Sequence, residues 1–191
     1  METFWFYFNL GLDHVLDLGG LDHFYFLVAL AIPFGFVNWR KLLWWVSLFT
    51  IGHSLSLLIT YFEWVKLDSS WVEFLIPVTI CITCISLLFQ KKHAQLEGIW
   101  INLITLFFGL IHGFGFGRYF KMITEEGEAI VALLEFAIGV EFAQVLIVIF
   151  VLFSNWVVLG LLKIQKQKWQ WIVAAMILSQ AIAMASNNWP F

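Results

Sequence analysis

The chain has 191 residues, of which 62% are hydrophobic and 12% charged, and its formal net charge is −3. Its mean hydropathy is +0.90, whereas soluble domains are about 45 to 50% apolar, so a soluble globular protein is excluded. The ten Lys and Arg residues are few and scattered, which also excludes a nucleic-acid-binding surface. We therefore expect residues 1–191 to form a single transmembrane domain in contact with the lipid bilayer.

The N-terminal segment, residues 2–20, starts with the aromatic run ETFWFYF and is then broken by polar residues and a glycine pair. It lacks a basic start and a small-residue cleavage site, so we do not expect a secretory signal peptide. These features favour an interfacial or re-entrant helix over a full membrane span. The interrupting residues are Asp13, His14, Asp17, Gly19 and Gly20.

Six apolar stretches are long enough to cross a membrane as helices, which takes about 20 predominantly apolar residues each. The predicted fold is therefore all-α: a polytopic membrane protein with about six transmembrane helices plus the N-terminal interfacial or re-entrant helix. The six stretches are 21–37, 42–63, 71–90, 98–120, 129–155 and 168–187.

The basic residues are distributed unevenly between the connections of the predicted spans. By the positive-inside rule the more basic side faces the cytoplasm, so both termini are predicted to face outward. Acidic residues collect on the predicted outer side, where they raise the local concentration of cations. Seven basic residues lie in the first, third and fifth connections: Arg40, Lys41, Lys91, Lys92, Lys163, Lys166 and Lys168.

Placing an ionisable side chain inside a bilayer costs about 2.5 to 3.5 kcal/mol on insertion scales, so each such residue is expected to have a function there. On the predicted topology, those within the spans all fall in the outer half of the membrane, at staggered depths. We therefore expect a polar cluster that is open toward the outside. Its predicted members are Asp22 and His23 in the first span, His53 in the second, Glu73 in the third, His112 in the fourth and Glu141 in the fifth.

Imidazoles and carboxylates together form a nitrogen and oxygen ligand set that suits divalent Ni, Zn, Co, Mn or Fe. In such a site Asp22 or Glu141 compensates the charge of the ion or orients a His ring. The alternative for any single His is a hydrogen bond between helices. For Asp13, Asp17 and Glu135 the residues alone leave the role open.

Three glycines of the fourth predicted span, Gly109, Gly113 and Gly117, recur at four-residue spacing. This small-xxx-small pattern lets a neighbouring helix approach closely, which would bring His112 near the polar residues of that neighbour. The alternative is that the glycine-rich run frays the end of the helix.

The two cysteines, Cys81 and Cys84, lie one helical turn apart in the third predicted span. Burial statistics favour small packing residues. A soft metal-ligand pair is the alternative.

Five stretches carry these polar motifs in one order along the chain. Together they resemble the HupE/UreJ family of small bacterial membrane proteins, especially its short branch. The resemblance implies a polytopic helical fold in the bacterial cytoplasmic (inner) membrane. It also implies a link to nickel or cobalt, since family members accompany hydrogenase and urease genes and some are taken to be nickel permeases. The stretches are GLDHVLDLGGLDHFYFL at 11–27, FTIGHSLSL at 49–57, VEFLIPVTI at 72–80, FFGLIHGFGF at 107–116 and LEFAIGVEFAQ at 134–144.

The resemblance also implies which residues handle the metal. The spacing between His14 and Asp22 is longer here than in the nickel-permease branch, so the role of His14 stays open. Carried over by motif, the metal-handling residues are His14, Asp22, His23, His53, Glu73, His112 and Glu141.

These observations favour a divalent transition-metal transporter or permease, whose substrate is Ni, Co or Zn and whose His/carboxylate site faces outward. The first alternative is an intramembrane metal-dependent hydrolase with Glu73 or Glu141 as general base. The second is a metal-binding accessory protein without transport. The assembly state is open, with a homo-oligomer among the alternatives.

Overall fold

The computed structural model describes residues 2–17, 19–89, 99–125 and 127–191, and within these ranges the regular structure is helical throughout. This confirms the predicted all-α class. The helices are α1 (Glu2–Leu16), α2 (Asp22–Ala31), α3 (Trp39–Tyr61), α4 (Ser69–Phe89), α5 (Ile99–Ile123), α6 (Ala129–Trp156) and α7 (Lys166–Asn187), with a short 3₁₀ turn at Phe36–Asn38 and a π-helical turn at Val157–Leu161.

Five of these helices, α3 to α7, are long and apolar enough to cross a membrane. Their lipid-facing sides carry many exposed aromatic and branched residues, such as Phe107, Ile149 and Phe153. Such a surface is stable only against hydrocarbon. The chain is therefore a membrane protein, as its composition predicts.

The first predicted span, residues 21–37, is wrong in its extent. The helix there, α2, covers ten residues, which is about 15 Å at 1.5 Å per residue and half of a hydrocarbon core of about 30 Å. Pro33 follows the C-cap residue Ile32, and a proline has no backbone N–H to continue the helical hydrogen bonds. Gly35 follows in an extended conformation.

Helix α1 supplies the other half of this crossing. The hydroxyl of Tyr7, near the start of α1, donates to the carbonyl of Ile123 at the end of α5 over 3.3 Å. Beyond the end of α2, the side-chain amide of Asn155 donates to the carbonyls of Ile32 and Phe34 at 3.1 and 2.7 Å. Helices α1 and α2 thus form one broken span, interrupted at residues 17–21. The N-terminal helix is part of the bundle and does not merely lie on its surface.

Close backbone contact fixes α1 against α6. A Cβ atom added at Gly11 would overlap the carbonyl oxygen of Phe136, and one added at Gly139 would overlap that of Phe8. Each glycine therefore admits the backbone of the other helix, which is the packing that small residues allow in membranes.

Helices α3 and α5 form the most extensive contact of the bundle and run in the same direction. A Cβ at Gly109 would overlap the carbonyl oxygen of Phe49, and one at Gly113 would overlap that of His53. Helix α5 continues without interruption to Ile123. The predicted glycine packing is confirmed, and the alternative of a frayed helix end is wrong.

Both termini lie at one end of the bundle, which we call the terminal face. Besides Tyr7 near Ile123, the side-chain amide of Asn188 donates to the carbonyl of Glu73 at the start of α4 over 3.2 Å. The opposite end, the basic face, contains Arg40 and the segment between α6 and α7. Lys91, Lys92 and His93, which the sequence assigns to this side, lie outside the described residues.

Candidate metal centre

Four histidines from four helices meet in the interior of the bundle. His14 lies in the last turn of α1 and His23 in the first turn of α2, on either side of the break in the first span. His53 lies in α3, eight residues before its end at Tyr61, and therefore about 12 Å below the terminal face. His112 lies in α5. His23, His53 and His112 are fully buried, with exposed fractions of 2%, 0% and 1%.

Three of these rings, which we call the histidine trio, are His14, His23 and His53. They offer ring nitrogens that all lie within 4.8 Å of one another, and they are the group in the described ranges that could hold one metal ion. The Nε2 atoms of His14 and His53 are 3.3 Å apart. Ligand nitrogens on a tetrahedral ion with bonds of about 2.0–2.1 Å are separated by about 3.3 Å, so this pair is already spaced for coordination.

His23 lies at the centre of the four rings. Its ring centroid is 4.6 Å from that of His14, 5.5 Å from that of His53 and 5.3 Å from that of His112. His112 therefore borders the trio through His23 and stands outside the group whose nitrogens are mutually close.

Asp22 orients the ring of His23. Its carboxylate oxygen Oδ1 accepts hydrogen bonds from the Nδ1 of His23 at 3.1 Å and from the backbone N–H of the same residue at 2.8 Å. A proton held on Nδ1 leaves the Nε2 lone pair free, which is the carboxylate–histidine arrangement found around protein metal sites. Asp22 thus acts on the site through His23.

His112 has its tautomer fixed in the same way. Its Nδ1 donates to the carbonyl of Phe108, one turn earlier on α5, over 2.8 Å. A carbonyl oxygen only accepts, so the proton is on Nδ1 and the Nε2 lone pair is free.

Buried ring nitrogens in this cluster lack hydrogen-bond partners among the residues that the structure describes. They are Nε2 of His23, Nδ1 of His53 and Nε2 of His112. An unsatisfied buried polar group costs about 1–3 kcal/mol. The Nε2 lone pairs of His23 and His112 have no donor, and they belong to rings that adjoin the close Nε2 pair of His14 and His53. Free imidazole lone pairs grouped in this way are expected of a cation-binding site, so the residues present fit a divalent metal ion.

Aromatic rings surround the imidazoles and make their surroundings apolar. The ring centroid of Phe116 is 4.1 Å from that of His14, and the ring of Phe136 stacks on His53 at 6.1 Å. Phe49 contacts both His23 and His112, at 5.9 and 5.0 Å. These phenylalanines do not stand out in the sequence, because the chain is rich in aromatic residues throughout.

A second polar group, the oxygen cluster, is formed by Ser47, Thr50, Glu141 and Gln144. The hydroxyls of Ser47 and Thr50 each donate to one carboxylate oxygen of Glu141, both over 2.5 Å. The side-chain amide nitrogen of Gln144 donates to the hydroxyl of Thr50 over 2.7 Å. Ser47 was not among the residues predicted from the sequence, although its spacing of three residues from Thr50 places both on one helix face.

The comparison with known families agrees with this architecture. The family described as HupE / UreJ protein matches residues 1–190, essentially the whole chain. The chain belongs to the HupE/UreJ family. No curated protein and no solved structure matches it. The resemblance drawn from the motifs is thereby confirmed, and the family is one associated with nickel or cobalt transport or with an accessory function.

Of the seven residues that the HupE/UreJ motifs select, the structure brings five together. His14, His23, His53 and His112 form the cluster of rings, and Asp22 is bonded to His23. Glu141 is held in the oxygen cluster. Glu73 is exposed at the terminal end of α4 and is not among the residues of the candidate metal group.

Three acidic residues and two cysteines of this HupE/UreJ protein, whose roles the sequence left open, lie outside the trio. Asp13 and Asp17 are exposed, and one carboxylate oxygen of Asp17 accepts from the backbone N–H of Gly19 over 2.8 Å. Glu135 is partly buried. Cys81 and Cys84 are free thiols, and neither is in the candidate metal group of the described residues.

Proposed function

We propose that this chain is a permease for a divalent transition-metal ion, which it captures at the histidine trio. The observation that carries the proposal is the convergence of three imidazoles, with nitrogens within 4.8 Å of one another, in the interior of a membrane bundle. Ionisable side chains inside a membrane are costly and mark pathways for ions or protons.

The broken first span supports transport over a purely structural role. Discontinuous helices at mid-membrane build the substrate sites of many secondary transporters. His14 lies in the last turn of α1, where the partial negative charge of a helix C-terminus favours a cation. Helix α2 presents its positive N-terminus to the same place, and the carboxylate of Asp22 offsets it there.

Family membership favours nickel or cobalt as the substrate. Imidazole nitrogens suit Ni, Co and Zn alike, so the ligand set agrees with the family and does not separate these ions. We propose Ni²⁺ as the first ion to test.

We place the protein in the bacterial cytoplasmic membrane with the terminal face outward. The basic face contains Arg40 and Lys41 at the start of α3 and the lysines that precede or begin α7, and basic loops face the cytoplasm. The trio then lies closer to the outside than to the cytoplasm, because His53 is eight residues from the end of α3 at that face and fourteen from its start.

The hydrolase alternative finds less support. One of its two candidate bases, Glu73, is exposed at the end of α4, and the other, Glu141, has both carboxylate oxygens engaged by hydroxyls. A general base must reach a water molecule at the ion.

The test is Ni²⁺ uptake into proteoliposomes that contain the purified protein. We expect uptake by the wild type and its loss in His23→Ala and His53→Ala. Ser154→Ala is the control, because this half-buried hydroxyl donates to the carbonyl of Phe150 within α6 and lies outside both polar clusters. Wild-type binding of Ni²⁺ without uptake would indicate an accessory protein, and uptake retained in both His variants would end the proposal.

A further inference from the structure

The oxygen cluster lies one helical turn nearer to the basic face than the histidine trio. Thr50 precedes His53 by three residues on α3, a rise of about 4.5 Å. Helix α3 starts at the basic face, so the oxygen cluster follows the trio on a path from the terminal face inward. Thr50 and Gln144 are buried, and Gln144 has no exposed surface.

Both carboxylate oxygens of Glu141 are hydrogen-bonded to hydroxyl groups, one to that of Ser47 and one to that of Thr50. Among the described residues, no Lys, Arg or His forms an ion pair with it. A negative charge at this depth of a membrane is costly without a compensating cation.

Gln144 provides an independent observation. Its amide orientation is fixed, because the hydroxyl of Thr50 gives its proton to Glu141 and therefore accepts from the amide nitrogen. The carbonyl oxygen Oε1 of Gln144 is buried and has no hydrogen-bond partner in the described part of the chain. The cluster thus contains a carboxylate, two hydroxyls and an amide carbonyl. The oxygen of that amide carbonyl is the group whose lone pairs are unused.

We infer that the oxygen cluster is a second cation site, separate from the histidine trio, which binds a divalent ion through oxygen ligands alone. Carboxylate, carbonyl and hydroxyl oxygens suit hard ions such as Mn²⁺, Mg²⁺ and Ca²⁺. This inference rests on the proposed function in one respect: in a permease the site receives the ion after the trio releases it.

Permeation requires a site from which the ion can dissociate, and a second site with oxygen ligands would meet this requirement. Imidazoles hold late transition metals tightly, whereas an ion that moves through a membrane needs sites it can leave. The oxygen cluster offers negative charge and fewer strong ligands for nickel. It therefore draws the ion inward and holds it less firmly than the trio does.

The experiment combines two measurements on the full-length protein in detergent and in proteoliposomes. Electron paramagnetic resonance detects bound Mn²⁺, a hard ion that reports on the oxygen cluster, and uptake assays follow Ni²⁺. In Glu141→Gln we expect loss of the Mn²⁺ signal and a fall in the Ni²⁺ uptake rate of about tenfold or more, with Ni²⁺ affinity at the trio unchanged. Glu135→Gln, the neutralisation of the other partly buried glutamate of α6, is the control and should leave both readouts unchanged.

The outcomes separate this inference from the permease proposal. Wild-type Mn²⁺ binding and Ni²⁺ uptake in Glu141→Gln would refute the second site and leave the permease intact. Loss of Ni²⁺ binding at the trio in the same variant would also refute it, since Glu141 would then belong to a single site. Loss of Mn²⁺ binding in a protein that never takes up Ni²⁺ would support the site and refute the permease. Gln144→Leu, which removes the carbonyl but keeps the carboxylate, serves if Glu141→Gln does not fold, with weakened Mn²⁺ binding expected.

Discussion

The Nε2 atoms of His14 and His53 lie 3.3 Å apart, although their residues are 39 positions apart in the chain and belong to α1 and α3. A neutral imidazole carries one ring proton, so this contact is either a single hydrogen bond or two lone pairs directed at a shared ion. The second state requires a cation between the rings. The contact therefore connects the broken first span to the rest of the candidate site.

We expect His14→Ala to weaken Ni²⁺ binding much more than His112→Ala does. His14 supplies one of three mutually close nitrogens, whereas His112 borders the group through His23. Loss of a direct ligand should lower affinity by about 100-fold or more, beyond the 10- to 100-fold typical of an outer partner. Isothermal titration calorimetry of the two variants measures the ranking, and equal losses would contradict it.

Asp22→Asn should weaken Ni²⁺ binding by about 10- to 100-fold, because the carboxylate fixes the tautomer of His23 and raises the basicity of its ring. An amide oxygen keeps the hydrogen bond to Nδ1 but carries no charge. Asp17→Asn is the control, since this exposed carboxylate bonds to the backbone of Gly19. A loss of the same size in both variants would show that the effect is general electrostatic attraction and not the orientation of His23.

Sequence patterns predicted the helical class and the polar cluster, because the physical constraints behind them are local. Apolar stretches must be helical in lipid, and glycines at four-residue spacing admit a neighbour, as Gly109 and Gly113 do. The polar residues of the spans were expected to lie together, because an isolated polar group in lipid is costly in free energy.

The break in the first span does not follow from the apolar pattern of the sequence. The apolar run 21–37 contains enough residues to cross, but α2 ends at Ala31, shortly before Pro33, and the glycine pair lies in the interruption between α1 and α2. The sequence also does not determine which acidic residue faces the cluster, because this depends on the rotation of each helix about its axis. In α4 the rotation leaves Glu73 exposed.

Glu73→Gln should leave Ni²⁺ affinity and uptake unchanged. The side chain is exposed at the terminal face, and the backbone carbonyl of this residue, which is unaffected by the substitution, accepts the hydrogen bond from Asn188. The matched comparison is Glu141→Gln, the other glutamate selected by the family motifs. A drop in Ni²⁺ affinity in Glu73→Gln would place this carboxylate at the ion, and would require α4 to rotate or shift during transport.

Gly11→Ala should weaken Ni²⁺ binding without touching a ligand. A Cβ at Gly11 would overlap the carbonyl oxygen of Phe136, so α1 must move away from α6 and carry His14 out of the trio. Overpacking of this kind typically costs about 1–3 kcal/mol. The measurement is a double-mutant cycle of Ni²⁺ affinity with His14→Ala. If Gly11 acts through His14, the second substitution adds little once the first is present, whereas fully additive losses would mean that α1 supports the site by another contact.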